Sequence, residues 1–239
     1  IFLEKSVFPG LLKDIDAMVV FTEAEKNAWV ERFEVDAERI FVIPHFIGTA
    51  DLPINKRRNG KKLEEYIVYL GRAGTNKKTD LLLRTFCKMK ELQSSLYMTI
   101  SESDIAGDIV DLVRKDKRIK LLGYISDEEK AGVLQYASGV ICPTDFEAFG
   151  YTAFEGSIYS KPLICSDIPV FRELLSGDGV LYFENTQASL SAALSLFGNL
   201  SSNDKQTMGK INKENVLKYS FEASLKKYQS LFSMLSLKI

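Results

Sequence analysis

From Tyr66 onward the chain alternates short β-rich runs with helical ones at intervals of about 20 to 30 residues, and no other feature constrains its fold as strongly. The β-rich runs are Tyr66–Leu70, Leu96–Ile100, Ile119–Leu122, Val140–Cys142, Leu163–Cys165 and Val180–Phe183. Several are apolar at consecutive positions, as strands must be when helices cover both faces of their sheet. The segments between them carry the helical period. Leu82, Phe86 and Met89 lie on one stripe, and Ser126 with Glu129 forms a capping box ahead of Ala131, Leu134 and Ala137. Pro169 suits the first turn of a further helix through Val170, Phe171, Leu174 and Leu175. The expectation is an α/β fold with a Rossmann-like doubly wound parallel sheet, whose ligands bind at the carboxyl ends of the strands.

Ahead of Tyr66 stands a smaller unit: a strand at Ala17–Phe21, a helix capped by Thr22 and Glu25, and a strand at Ile40–Ile43 stopped by Pro44. One β-α-β unit cannot bury both faces of a sheet, so it either joins the main sheet or is the tail of another domain. The chain begins at Ile1, and Ile1-Phe2-Leu3-Glu4 has no turn or cap in front of it, so a piece of something longer is expected. The polar stretch 49–65, with Lys56, Arg57, Arg58, Lys61 and Lys62, reads as a solvated loop in preference to an anion-binding patch. After Phe183 the chain turns mostly helical and closes with a run from Phe221 through Tyr228, Leu231 and Leu235.

Charge gives no direction to a partner. With 31 basic against 32 acidic residues, nothing calls for nucleic acid, an anionic membrane or a polyacidic ligand. Cys87, Cys142 and Cys165 are far apart and odd in number, and two of them sit in apolar runs, which suits a reducing compartment and a cytoplasmic location. No apolar stretch approaches the roughly 20 residues of a membrane span. His45 is the only histidine, and no Ser or Cys stands at a nucleophile elbow, so it reads as a linker residue near an interdomain cleft. Asp14-Ile15-Asp16 precedes a buried strand and is not taken as a metal site.

Two segments can carry chemistry. Pro143 to Glu155 places two carboxylates, Glu147 and Glu155, around Phe149-Gly150, directly after a buried strand and at the opening of a helix. A helix start offers free N–H groups and positive potential, and Gly150 lets a ligand approach the backbone. With Glu147 in the loop and Glu155 about two turns into the helix, both face one ligand at different depths, as two hydroxyl-bearing rings would require. On spacing alone the plainer reading, two solvated helix acids, stays open. The second segment, Tyr69 to Asp80, follows the first strand of the domain. Its Arg72 and Lys77 can converge on a phosphate pair, the Arg as a planar fork and the Lys as a point charge. It lacks the Gly-Lys-Ser/Thr ending of a P-loop.

In order and spacing, four motifs resemble the family-four retaining glycosyltransferases of the GT-B fold. They are Gly71-Arg72 with Lys77, Leu122-Gly123-Tyr124-Ile125 with Ser126 to Glu129, Pro143 to Glu155, and Lys161-Pro162-Leu163-Ile164-Cys165-Ser166 reaching Glu173. The resemblance covers Asp16 to Phe232 and implies the C-terminal half of that fold. On it, residues 1–48 are a remnant of the N-terminal acceptor-side domain with the interdomain linker. Residues 66–220 are the nucleotide-sugar domain, and 221–239 a helix returning toward the N-terminal domain.

The resemblance implies that Arg72 and Lys77 take the donor phosphates, Glu155 the ribose hydroxyls and Glu147 the transferred sugar. Gly71 and Lys78 lie in the same phosphate turn. The backbone of Phe149, Gly150, Tyr151 and Thr152 holds sugar and diphosphate, and Gly123, Tyr124 and Ile125 border the base. The donor implied is a UDP- or GDP-sugar, with no metal and no other cofactor. The acceptor implied is a glycan, a lipid-linked oligosaccharide or a protein, with peripheral association at the inner face of a membrane as a further expectation. The isolated chain, without the N-terminal domain, is expected to transfer poorly or not at all. Two departures stand out: the strand ending Thr99-Ile100-Ser101 lacks the glycine-rich turn usual there, and Lys78 stands where a glycine usually follows the lysine. The competing readings are a non-catalytic nucleotide-sugar-binding or regulatory module of the same fold and a nucleotide-sugar epimerase. The presence of Arg72, Lys77, Glu147 and Glu155 together favours the transferase.

Overall fold

The computed structural model describes residue 12 and residues 14–46, 65–175 and 177–236. The opening Ile1–Glu4 and the basic run from Lys56 to Lys62 lie outside the described residues. The chain divides into two compact units, one of residues 49–217 and one of residues 1–48 with 218–239.

The smaller unit holds β1 (Met18–Val20), α1 (Glu23–Phe33), β2 (Ile40–Val42) and, from the far end of the chain, α9 (Phe221–Ser236). β1 and β2 pair in parallel with Val19 opposite Phe41. Thr22 accepts from the Glu25 N–H at 3.0 Å, while Glu25 accepts from the Phe21 N–H at 3.0 Å, so the cap read in the sequence is present. Ser224 on α9 donates to the Pro44 carbonyl at 2.8 Å, and Lys227 donates to that of Val42 at 3.1 Å.

The larger unit runs β3 (Tyr66–Tyr69), α2 (Thr79–Lys88), β4 (Ser95–Met98), α3 (Gly107–Lys115) and β5 (Ile119–Leu121), then α4 (Asp127–Tyr136), β6 (Gly139–Cys142) and α5 (Tyr151–Ile158). It closes with β7 (Leu163–Ser166), α6 (Pro169–Leu174), β8 (Val180–Phe183), α7 (Gln187–Asn199) and α8 (Ser202–Leu217). Its six strands are all parallel in the order β5-β4-β3-β6-β7-β8. The strands β3, β6 and β7 are buried at every position, which is the physical content of their unbroken apolar runs. α2 packs against α3 and α7, and α5 packs against β6, β7 and α8, so helices cover both faces. Phe86, Leu82 and Leu83 of α2 meet Leu194 and Phe197 of α7 in the main core.

The chain winds outward from β3 through β4 to β5, then returns across the sheet to β6 and winds the other way. The direction of winding therefore reverses between β3 and β6, and the carboxyl edge beside them is the switch point at which sheets of this kind bind ligands.

Close approach fixes one position in the packing of α8. A Cβ on Gly209 would lie 1.8 Å from the Ser160 carbonyl oxygen, so only glycine lets this helix reach the turn before β7. The next residue, Lys161, runs its side chain inward and donates to the Gln135 carbonyl at 2.8 Å. Burial pulls this ammonium down to about 8. Between there and the ordinary lysine value of about 10.4 the unfolded chain binds a proton that the folded chain does not, so this residue makes stability rise with pH across that window. Urea unfolding of Lys161→Met between pH 8 and 10 is expected to show a shallower rise than the parent protein; an unchanged slope would contradict the burial of this charge.

Candidate functional site

The loop after β3 is held by side chains from three directions. The buried Tyr69 hydroxyl donates to the Arg72 carbonyl at 2.5 Å, the Gly71 N–H donates to Thr99 Oγ1 at 2.9 Å, and Thr152 Oγ1 donates to the Leu70 carbonyl at 3.1 Å. Burial raises the Tyr69 phenol far above its ordinary range, so it stays a donor. The loop then turns twice through Lys77 N–H to Gly74 and Lys78 N–H to Thr75 before α2 begins. Lys78 sits at the helix cap with φ of 47°, the left-handed conformation that glycine adopts without strain.

The loop after β6 is stitched to it. The Asp145 N–H donates to the Asn76 carbonyl at 2.8 Å, and Thr144 Oγ1 lies 3.0 Å from the same oxygen. Two ion pairs cross the seam, Lys77 with Glu147 and Lys78 with Asp145. Underneath, Ser166 Oγ accepts from the Thr144 N–H at 2.8 Å and bonds Asn185 Oδ1 at 2.8 Å, while Asn185 Nδ2 donates to the Thr144 carbonyl and to Asp145, both at 2.9 Å. The loop is thus fixed from below by β7 and the residues after β8.

The last stretch of that loop feeds α5. Gly150 caps the helix at φ of 86°, and a Cβ there would come within 2.5 Å of the Phe171 ring. Phe149 is buried against Phe154, with ring centroids 4.2 Å apart. The sequence placed Glu155 about two turns into this helix. The helix starts at Tyr151, after the left-handed Gly150, so Glu155 is only its fifth residue and stays near the open end.

At the carboxyl edge of β3, β4 and β5 lies a cleft of about 610 Å³. Of the residues singled out from sequence, Gly71, Arg72, Tyr124, Ile125, Thr152 and Glu155 line it. Arg72 is exposed and has no carboxylate partner among the described residues. Tyr124 stands on the rim, 98% exposed. Gly123 turns the chain at φ of 64° and donates its N–H to the Ile100 carbonyl. Lys77, Lys78 and Glu147 are not brought into the lining of the cleft: they lie in the adjoining seam, engaged in the ion pairs above. Phe149 and Gly150 are buried at the start of α5, and Tyr151 is half exposed.

The missing glycine-rich turn after β4 has a replacement. Ser101 and Asp104 form a reciprocal capping box, the Ser101 N–H donating to Asp104 at 2.7 Å, and both residues line the cleft with Thr99.

The sequence reading missed Lys130. This residue, in the first turn of α4, donates to Glu155 Oε1 at 2.7 Å and pairs with Asp127 Oδ1 at 3.1 Å. Burial works against its charge, but the two carboxylates outweigh burial and raise the ammonium above its ordinary value. No local signal marked it, because Asp127, three residues earlier on the same helix, already offers this lysine a carboxylate.

Among the described residues no group of three or more His, Cys, Asp or Glu side chains could hold a metal ion. No helix among them is long and apolar enough to cross a membrane.

Comparison with known proteins gives this geometry a context. The sequence model of the family described as Glycosyl transferases group 1 matches residues 53–215, more than half of the chain. The O-antigen chain mannosyltransferase RfbU of Salmonella typhimurium is 30% identical over 192 residues, covering 76% of this chain and 51% of that protein. The fold superposes on the sucrose-phosphate synthase of Thermosynechococcus elongatus with a TM-score of 0.81 at 21% identity, over 98% of this chain and 61% of that one. It also superposes on the pneumococcal O-GlcNAc transferase GtfA, solved with UDP and GlcNAc, with a TM-score of 0.75 at 16% identity, over 96% of this chain and 47% of that one. The chain thus spans about half the length of the curated mannosyltransferase it matches.

Proposed function

The chain belongs to the group 1 glycosyl transferases, and we propose that it is the donor-binding half of a retaining, metal-independent hexosyltransferase that uses a UDP- or GDP-sugar. The observation that carries this reading is the cleft at the switch point of the sheet, where the guanidinium of Arg72, with no carboxylate partner among the described residues, and the carboxylate of Glu155 line one cavity beside the start of α5. A nucleoside diphosphate needs those two groups: a cation for the phosphates and a paired acceptor for the ribose hydroxyls. The solved complex of GtfA with UDP and GlcNAc, on the same fold, supports this choice of ligand.

In this reading Arg72 meets the diphosphate, with Lys77 in the adjoining seam as the second cation. Negative charge builds on the diphosphate as the bond to the sugar breaks, and fixed cations stabilise that charge without reorganising. Glu155 accepts from the ribose, and Glu147, held by Lys77, stands nearest the transferred sugar. The backbone from Phe149 to Thr152 supplies N–H groups to sugar and phosphate, Gly71 and Lys78 shape the phosphate turn, and Gly123, Tyr124 and Ile125 border the base. Departure of the diphosphate and attack from the same face retain the anomeric configuration, so the protein mainly positions reactants and stabilises charge. The acceptor, a glycan, a lipid-linked oligosaccharide or a protein, belongs to a further domain. The three buried free thiols suit a cytoplasmic setting, where a peripheral place at the inner membrane face would meet such acceptors.

Binding to the folded state alone raises stability by about 2.7 kcal/mol when a ligand is at 100 times its dissociation constant. The chain is therefore expected to melt at a higher temperature in UDP or GDP than in the matching nucleoside, while transferring little sugar to a simple acceptor by itself. Equal melting in diphosphate and nucleoside would contradict the reading.

A further inference from the structure

Among the charged groups of the cleft lining that donor recognition, as read above, does not use, Lys130 is the cation. Lys130 comes from α4, and its ammonium is shared between Glu155 Oε1 and Asp127 Oδ1. Lys130 is about two-thirds and Glu155 about three-quarters shielded from solvent, with side-chain exposures of 32% and 26%. The bond joins residues 25 positions apart on different helices, so it is a tertiary contact within the cleft and not a by-product of one helix face. Resting on the reading of Glu155 as the ribose acceptor, we propose that Lys130 is a positioning residue for donor recognition: it fixes the Glu155 carboxylate so that its second oxygen faces the cleft, ready for the vicinal diol of the nucleoside.

A glutamate side chain on a helix has several rotamers, and freezing them at the moment of binding weakens the bond that results. The ammonium removes that loss in advance. It takes Oε1, and no described side chain bonds Oε2. A carboxylate has about four lone-pair sites, so with one engaged it still accepts both ribose hydroxyls. Asp127 pairs with Lys130 from the same helix turn, three residues earlier. This places the specificity for ribose over deoxyribose in the pair Lys130-Glu155, and not in Glu155 alone; the Asp127 carboxylate is 97% exposed and adds little hold.

The test is calorimetric titration of the whole chain with UDP and GDP, their monophosphates and their 2′-deoxy forms. The proteins are the parent, Lys130→Met, Lys130→Arg and Glu155→Gln. The parent is expected to bind one ribonucleoside diphosphate about tenfold more tightly than its deoxy form, as loss of a hydrogen bond to a charged group implies. Lys130→Met should bring that ratio close to one and leave the preference for diphosphate over monophosphate unchanged, Lys130→Arg should restore most of it, and Glu155→Gln should resemble Lys130→Met. If Lys130→Met keeps the ribose preference, or loses the diphosphate preference in its place, the lysine is a bystander or a phosphate ligand and the proposal is overturned. A parent that binds none of the nucleotides overturns the functional reading itself, an outcome distinct from either.

Discussion

Arg118→Ala lowers the unfolding free energy by about 3 to 5 kcal/mol, the usual loss when a buried pair keeps one charge and loses the other. The guanidinium of Arg118 donates to the carbonyls of Met89 and Leu92 at 2.7 Å and of Phe86 at 3.2 Å, so it closes the C-terminal end of α2, where helical carbonyls lack partners. It also grips Asp116 through Nε at 2.9 Å and Nη2 at 2.7 Å, and its charge centre lies 4.8 Å from the Phe86 ring centroid. The Asp116 side chain is only 5% exposed. Alanine would leave that carboxylate buried with Lys90 and a 3.3 Å bond from the backbone N–H at the same position, and would take from the Leu92 carbonyl its side-chain donor.

The same cluster sets an acid limit. Hydrogen bonds from Arg118, then Lys90, hold the Asp116 carboxyl well below the ordinary carboxylate range. Its contribution is therefore fully present above the unfolded value of about 3.9 and is lost as pH falls through the lower folded value. Chemical denaturation between pH 2 and 6 checks both statements. The parent should lose stability steeply below about pH 4, and Asp116→Asn should start lower and fall less steeply. A variant Arg118→Ala as stable as the parent would show that the cluster contributes nothing.

The second large effect belongs to the site. In the full-length protein Arg72→Ala is expected to reduce turnover by about 100-fold or more, the scale found when one preorganised donor is withdrawn from a developing charge. Arg72 is exposed in the cleft, and among the described residues no carboxylate engages it, so its charge is available to the diphosphate of the proposed donor. Lys77 is already engaged by Glu147. Its removal should cost less in phosphate stabilisation and more in the placement of Glu147. Arg72→Lys should recover only part of the loss, because a point charge does not reproduce the planar fork. Steady-state kinetics with saturating donor read this directly, and full activity in Arg72→Ala would remove the arginine from the mechanism.

The strands of the larger unit were legible because their apolar runs answer to burial on both faces, which acts locally and leaves its pattern in consecutive residues. Their ends were less so. The strand read as Leu96–Ile100 is observed as Ser95–Met98, since Thr99 turns its hydroxyl to Gly71, 28 residues away. Caps were read correctly at Ser126 and Pro169 for the same local reason. The charged seam was not legible. Lys77 meets Glu147 across 70 positions and Lys130 meets Glu155 across 25, and no periodicity encodes such pairs. Motif order singled out Arg72 and Glu155, which line one cleft, but could not tell which cations are engaged in ion pairs. The Arg118 cluster escaped notice because a lone arginine beside an aspartate looks like any solvated pair until the end of α2 is seen to rest on it.

Calorimetric titration of the chain with UDP, GDP and ADP, repeated on the Arg72→Ala, Glu155→Ala double variant, tests the central claim most directly. The account predicts that one nucleotide, UDP or GDP, binds the parent and that the double variant, still folded, no longer binds it. Binding of that nucleotide undiminished by both substitutions would contradict the assignment of the cleft, and a parent indifferent to all three would contradict the donor-binding function.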